Sequence, residues 1–189
     1  MQILAFNGSP RRQGNTSTII ESILEGARSK GADTEEIRLH DIDLKGCMGC
    51  MSCRKNPGVC KQKDDLSPYL EAIKRCDGVV VGSPIYMYRI AGQMKVFVDR
   101  IYSLYASRPE GGYVSMVPTG KTYALVTSQG APGTDQYVKS IRYLAGMTGS
   151  GLGMEVVGRI IHANSNEISA AEDGALIRVA YEVGRRMVK

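Results

Sequence analysis

Apolar positions along this chain come in blocks whose period switches between unbroken runs and the three-to-four spacing of a helix face. Ile3-Leu4-Ala5-Phe6 is an unbroken run that reads as a first strand. After a loop of small and polar residues, Ile19, Ile20, Ile23, Leu24 and Ala27 recur at helical spacing and predict a helix over Thr18 to Arg28. A short second strand follows at Glu35 to Leu39, entered from the turn Lys30-Gly31-Ala32-Asp33. Polar residues then dominate from His40 to Lys63. A second helix is predicted from Leu66 to Arg75, started by Asp64, Asp65 or Ser67 with Pro68 in its first turn. Gly78-Val79-Val80-Val81-Gly82 has the continuous β-branched character of a strand buried on both faces. A third helix over Gly92 to Tyr105, a strand from Lys121 to Ser128, a helix within Asp135 to Met147, a strand from Met154 to Ile161 and a helix from Ala170 to Val188 complete the pattern.

Five strands alternating with helices imply a parallel α/β sheet covered on both faces, because parallel neighbours need crossovers that pass over the sheet. Ligands of such sheets sit beyond the carboxyl ends of the strands, where the strand order reverses. At 189 residues the chain is read as one domain, 1–189, with a cysteine-rich insertion at about 40–63. Hydrophobic content of 43% and charged content of 23% are ordinary for a globular protein. There is no apolar run of membrane-spanning length and no signal pattern, so no membrane association and a cytoplasmic location are expected. The net charge of +5 is spread along the chain with no basic run interleaved with aromatics, so no nucleic acid is expected.

The loop between the first strand and first helix, Phe6-Asn7-Gly8-Ser9-Pro10-Arg11-Arg12-Gln13-Gly14-Asn15-Thr16-Ser17, has the makings of an anion site. A helix start carries unpaired N–H groups and a partial positive charge, and Ser9, Asn15, Thr16, Ser17, Arg11 and Arg12 add donors and charge. A dinucleotide loop needs G-x-G-x-x-G, and only Gly8 and Gly14 are present. A nucleoside triphosphate loop needs a lysine where Asn15 stands. The phosphate monoester of FMN needs donors and charge but no magnesium, and S-x-R-x-x-G-N-T supplies them. The competing reading is that Ser and Thr merely cap the helix. The loop after the third strand, Gly82 to Arg89, offers apolar and aromatic side chains against which a planar ring could lie, and Thr127 to Gly133 offers small residues for its edge.

Four of the five cysteines fall in the polar excursion as C-x2-C-x2-C-x6-C, at Cys47, Cys50, Cys53 and Cys60, while Cys76 reads as a buried small residue. Such spacing suits ferredoxin-type iron-sulfur ligation. Structural zinc, and a loop of reduced or disulfide-forming thiols, are the competing readings. Asp64 and Asp65 read as helix-capping carboxylates, and His40 and His162 as ordinary loop or strand-end residues.

Asn7 to Thr16, Gly82 to Tyr86 (G-S-P-I-Y) and Gly92 to Arg100 (G-Q-M-K-V-F-V-D-R) together resemble the flavodoxin-like NADPH-dependent FMN reductase superfamily. The resemblance implies a flavodoxin-like three-layer sandwich with a five-stranded parallel sheet of order 2-1-3-4-5. It implies that Ser9, Arg11, Asn15, Thr16 and Ser17 hold the FMN phosphate. Pro84, Ile85, Tyr86 and Met87 would line the isoalloxazine, with Ser128, Gln129 and Gly130 on its other side. Asp99-Arg100 would lie near an oligomer or ring-edge position; by residue type alone they read as an ordinary surface ion pair. The cysteine spacing is similar to that of the iron-sulfur flavoproteins of this superfamily, which implies Cys47, Cys50, Cys53 and Cys60 as ligands of a [4Fe-4S] cluster. Relatives without a cluster also carry a cysteine-containing loop there. The expected function is an oxidoreductase passing electrons from NAD(P)H through FMN to a quinone, flavin or other small-molecule acceptor. The alternative is a carrier exchanging electrons between FMN, the cluster and a ferredoxin-like protein. A homodimer or homotetramer is expected, with the cysteines emerging on the same rim as the flavin.

Overall fold

The computed structural model describes residues 1–189. Five parallel strands form the central sheet: β1 (Gln2–Asn7), β2 (Asp33–Arg38), β3 (Gly78–Tyr86), β7 (Thr122–Ser128) and β8 (Glu155–His162), in the order β2-β1-β3-β7-β8. The order reverses between β1 and β3, and the two strands run in register from Ile3 opposite Gly78 to Asn7 opposite Gly82. This is the 2-1-3-4-5 sandwich expected. Its helices are α1 (Asn15–Arg28), α3 (Ser67–Arg75), α4 (Gly92–Ile101), α5 (Val138–Thr148) and α6 (Gly174–Met187), with a short helix α2 (Ser52–Lys55) in the polar excursion.

Alternation along the strands splits the core in two, since successive side chains leave a strand on opposite faces. Leu4, Phe6, Val79, Val81, Tyr123 and Leu125 meet α3, α4 and α5 through Leu70, Phe97 and Leu144. Phe6 stacks on Phe97 with ring centroids 4.4 Å apart. Ile3, Ala5, Val80, Ala124 and Val126 meet α1 and α6 through Ile19, Ile23, Ala180 and Val183. Burial on both faces is why these strands show unbroken apolar runs. No helix is long and apolar enough to cross a membrane.

Departures from the sequence pattern have local causes. The first helix begins at Asn15, three residues earlier than the predicted start at Thr18, so Asn15, Thr16 and Ser17 form its first turn. The last helix starts at Gly174 because the Asp173 carboxylate accepts from the Leu176 N–H at 3.0 Å and caps it there. β3 continues past its valines, pairing Ser83 and Pro84 with Thr127 and Ser128. It then doubles back to β4 (Arg89–Ile90) through the two-residue turn Met87-Tyr88. The third helix ends at Ile101 in a 3-10 turn over Tyr102–Leu104, and a hairpin of β5 (Tyr105–Ser107) and β6 (Tyr113–Ser115) follows.

The helix pair α1 and α6 approaches backbone to backbone. A methyl group added at Gly184 would lie 1.8 Å from the Ile23 carbonyl oxygen, so Gly184→Ala should force the helices apart and destabilise the fold by about 2 kcal/mol. Gly146→Ala, in α5 with open space around it, should be neutral or gain up to about 1 kcal/mol from helix propensity. Urea midpoints of the two variants check this; equal midpoints would contradict the close packing that seats α1.

Candidate functional site

The loop from Gly8 to Gly14 is tied down from behind by strand residues. The Asn7 carboxamide donates to Ser17 Oγ at 2.9 Å and to Glu36 Oε1 at 2.7 Å, while its Oδ1 accepts from the Ser9 N–H at 2.8 Å. Ser17 Oγ in turn donates to the Arg11 carbonyl at 2.9 Å and accepts from Arg38 at 3.3 Å. Ser17 is therefore a support of the loop and is absent from the cleft wall. No side chain caps α1, whose N-cap is Gly14, so the Ser and Thr of this loop are not serving as a helix cap. The first-turn N–H groups of α1 thus have no side-chain cap, and the helix dipole lies behind them. Arg12 turns outward to Asp41 at 2.9 Å, leaving Arg11 as the loop's cation at the cleft.

A cleft of about 260 Å³ joins three of the carboxyl-end loops and a fourth segment. Ser9, Arg11, Asn15 and Thr16 line one end, Pro84, Ile85 and Tyr86 a second wall, and Ser128, Gln129 and Gly130 a third. Of the sequence-derived set, Ser17 and Met87 lie outside the lining; Met87 is 90% exposed at the tip of the β3–β4 turn. Ser165 and Asn166 also line the cleft and were not singled out from the sequence. The polar run Asn164-Ser165-Asn166 directly after β8 was the signal, because it too follows the carboxyl end of a strand. The neighbouring Ala170 N–H donates to Asn15 Oδ1 at 2.8 Å, tying this segment to the first turn of α1.

His162 is buried at the end of β8. Its Nε2–H donates to the Ile168 carbonyl at 3.1 Å, since a carbonyl can only accept, so its Nδ1 accepts from Ser128 Oγ at 3.2 Å. Gln129 Nε2 donates to the Gly133 carbonyl at 2.7 Å, which fixes the amide with Oε1 as the outward acceptor. That oxygen is buried and has no partner.

The turn at Met87 and Tyr88 has φ values of 44° and 66°, the left-handed region that a two-residue hairpin requires and that bulky residues disfavour. The Ser140 hydroxyl donates to the Tyr88 carbonyl at 2.9 Å and the Tyr88 ring packs edge-on against Tyr137 at 5.4 Å. Helix α5 thus holds in place a turn whose own residues resist it.

The cysteine excursion folds back on itself. The Lys45 N–H donates to Asp64 and the Asp43 N–H to Asp65, both at 2.9 Å. Asp64 and Asp65 were expected to cap the following helix; instead they staple the base of the loop, and α3 has no side-chain cap. Asp64 is enclosed with Arg100, whose guanidinium donates to both carboxylate oxygens and, at 2.8 Å, to the Lys45 carbonyl. The surface-pair reading of Asp99-Arg100 is corrected: Asp99 pairs with Lys95 at the surface, while Arg100 is buried. Burial alone would raise the Asp64 carboxyl, but hydrogen bonds from Arg100, Lys45 and Ser67 outweigh it and hold it at about 2.

Cys47, Cys50, Cys53 and Cys60 all line one cavity of about 50 Å³, closed by Asp99, Arg100, Tyr102 and Ser103. Burial, and after it the proximity of the other three sulfurs, pushes the Cys53 thiol up. The thiols are free, and no three stand at the spacing of a single-ion site. Arg54, beside Cys53, lies over the rings of Tyr102 and Tyr113 at 4.9 and 4.8 Å and clamps α2 to the β5–β6 hairpin. The cavity meets α4 at Asp99 and Arg100, seven and eight residues after the helix begins at Gly92, or at 1.5 Å per residue roughly 12 Å along its axis.

Buried polar groups in folded proteins nearly always have partners. The exceptions here are Thr127 Oγ1 and Gln129 Oε1 at the end of β7, and the Nε atoms of Arg54 and Arg100 around the cysteine loop. Gln129 lines the cleft and Arg100 the cysteine cavity.

A family model described as NADPH-dependent FMN reductase matches residues 1–166. Over 100 residues the chain is 37% identical to an iron-sulfur flavoprotein of Methanocaldococcus jannaschii, covering 53% of this chain and 51% of that one. It is 40% identical over 100 residues to an iron-sulfur flavoprotein of Archaeoglobus fulgidus, covering 53% and 48%. The chain thus spans about half the length of the curated relatives it matches. In fold it resembles an NAD(P)H:quinone oxidoreductase from Methanothermobacter marburgensis with a TM-score of 0.75 at 15% identity, over 98% of this chain and 96% of that one.

The strained turn yields a stability test. Met87→Asn removes an exposed side chain and installs a residue that tolerates positive φ, so it should raise stability by roughly 0.5–1 kcal/mol in urea unfolding. A loss of stability would contradict the account of the turn.

Proposed function

The chain belongs to the NADPH-dependent FMN reductase family, and on that premise we propose that it is an NAD(P)H-dependent oxidoreductase that holds FMN in the cleft between β1, β3 and β7. One observation carries the reading: the uncapped start of α1, with Arg11, and Gln129, whose buried Oε1 has no partner, line the same cleft. The first suits a phosphate monoester and the second an N–H on the edge of a planar ring. FMN held there would supply hydride acceptance from NAD(P)H and onward electron transfer to a quinone, flavin or other small-molecule acceptor. The protein's part is to bind and orient. Ser9, Arg11, Asn15 and Thr16 hold the phosphoryl end, with Ser17 bracing them from behind. Pro84, Ile85 and Tyr86 support the ring, and the backbone of Ser128 to Gly130 borders its edge. Met87 stays at the exposed tip of the turn. No side chain is assigned as acid or base.

A second reading is favoured by the cysteine cavity. Four thiols around one cavity, beside a buried guanidinium N–H with no partner, fit a group that is anionic and rich in sulfur, and Cys47, Cys50, Cys53 and Cys60 would hold a [4Fe-4S] cluster there. Such a cluster supplies one-electron transfer, which would suit exchange with a ferredoxin-like protein. The names of the curated relatives support this reading. A homodimer or homotetramer belongs to the same proposal, supported by exposed Tyr113, Tyr143 and Met147 bordering the cysteine loop.

Replacing Arg11 by alanine and Thr16 by valine removes a charged donor and a hydroxyl at the cleft while keeping the methyl group by which Thr16 packs near Gly82. FMN affinity should fall at least tenfold in fluorescence titration, while the unfolding midpoint without FMN is unchanged. Unaltered affinity would remove the phosphate assignment. Steady-state NAD(P)H oxidation separates the readings: sustained turnover supports the reductase, and reduction by a low-potential ferredoxin alone supports the carrier.

A further inference from the structure

We propose that Arg100 is a positioning residue for the cysteine-held metal centre: its buried Nε–H donates to the sulfur of Cys60 and raises the centre's reduction potential. The inference rests on the cluster reading given above and assigns a role to a residue outside the ligand set. Arg100 carries five N–H donors in a rigid fork. Nη1 serves Asp64 Oδ2 and the Lys45 carbonyl, and Nη2 serves Asp64 Oδ1, so the guanidinium is held on two sides. Its third side, Nε–H, is buried without a partner, and Arg100 is one of the residues lining the cavity that the four cysteines share. Among the four cysteines, Cys60 is the one whose proximity, alongside Asp64, favours the charged guanidinium of Arg100.

A purely structural ion pair does not need this geometry. Replacing a buried pair by apolar residues is often neutral for stability, so burial of Arg100 with Asp64 gives no reason by itself for leaving a charged donor unpartnered in a residue that lines a cluster of thiols. The other formal charges at this cavity are accounted for: Asp99 is neutralised by Lys95 at 2.6 Å, and Lys61 is exposed. Because Asp64 cancels the net charge of Arg100, what reaches Cys60 is a directed N–H dipole. Asp64 and the Lys45 carbonyl lie at the stapled base of the same loop, so the donor and the cysteine segment are fixed to each other. One-electron reduction adds negative charge to the ligating sulfurs without making or breaking a bond. A hydrogen bond to such a sulfur is stronger in the reduced state and so favours reduction.

The test is a potentiometric titration of anaerobically purified protein with dithionite, following the cluster by its absorbance and electron paramagnetic resonance and the flavin by its own bands. Two variants are compared with the unaltered chain. Arg100→Lys keeps a cation for Asp64 but has no second fixed donor for Cys60, and the double variant Asp64→Asn with Arg100→Gln removes both charges and keeps the enclosed pair polar. Both should titrate at a more negative cluster potential, with iron, sulfide and flavin content and the flavin potential at the level of the unaltered protein. An unshifted cluster potential in either variant that retains its iron overturns the proposal. So does loss of iron from both with flavin retained, which assigns Arg100 to loop structure alone. Unaltered protein without iron and sulfide removes the cluster reading itself, and this inference with it, while leaving the FMN site standing.

Discussion

Everything at the cleft depends on the absence of a side chain at residue 82. A methyl group there would lie 2.5 Å from Ile20 Cδ1 and 2.9 Å from Thr16 Cγ2, so only glycine lets the first turns of α1 rest directly on β3. The Gly82 carbonyl also accepts from the Gly8 N–H at 2.8 Å, which joins the phosphate-type loop to the same point. Two residues further along, Pro84 to Tyr86 form the opposite wall of the cleft. The spacing between an anion-gripping helix start and a ring-bearing turn is therefore set by a short covalent run of one strand. A rigid separation of this kind suits a ligand with a phosphate at one end and a flat ring at the other.

The same economy of position appears in the polar atoms. Loops at the carboxyl ends of the strands satisfy nearly all of their own hydrogen bonds, as in Asn7 to Ser9, Ser128 to His162 and Gln129 to Gly133. Of the four buried atoms left over, Gln129 Oε1 belongs to a residue of the cleft and Arg100 Nε to a residue of the cysteine cavity. A buried unpaired donor or acceptor is costly, which makes these atoms better markers of a site than the many polar groups at the surface. The turn at Met87 and Tyr88 tells the same story in backbone terms. Strain there persists because α5 latches it, and strained backbone of this kind collects at ligand sites.

The layered fold was legible because its signals are local. Apolar runs at Ile3 to Phe6 and Val79 to Val81 mark strands buried on both sides, and the period of Ile19, Ile23 and Ala27 marks a helix face. The three cleft loops were legible because they follow strands whose ends must lie together. Long-range pairings were not legible. Nothing in the sequence near Arg100 announces Asp64, 36 residues away, so a buried pair was read as a surface one and a staple as a helix cap. Ser165 and Asn166 were missed because a polar run after the last strand looks like any turn until β8 is seen to end beside β7. Equally invisible in the sequence were the Asp64 staple and the Gly58 N–H bond to the Ser103 carbonyl at 2.9 Å, which fix the cysteine segment.

The central claim is that the amino-terminal loop and helix start grip a phosphate monoester while the turn beyond β3 carries its ring. Isothermal titration of the protein with FMN and with riboflavin, which has the same ring and no phosphate, measures that grip alone. The account predicts that FMN binds at least a hundredfold more tightly, about 2.7 kcal/mol, as the removal of two or more charge-assisted hydrogen bonds requires. Equal affinities for the two, or no binding of either, would contradict it.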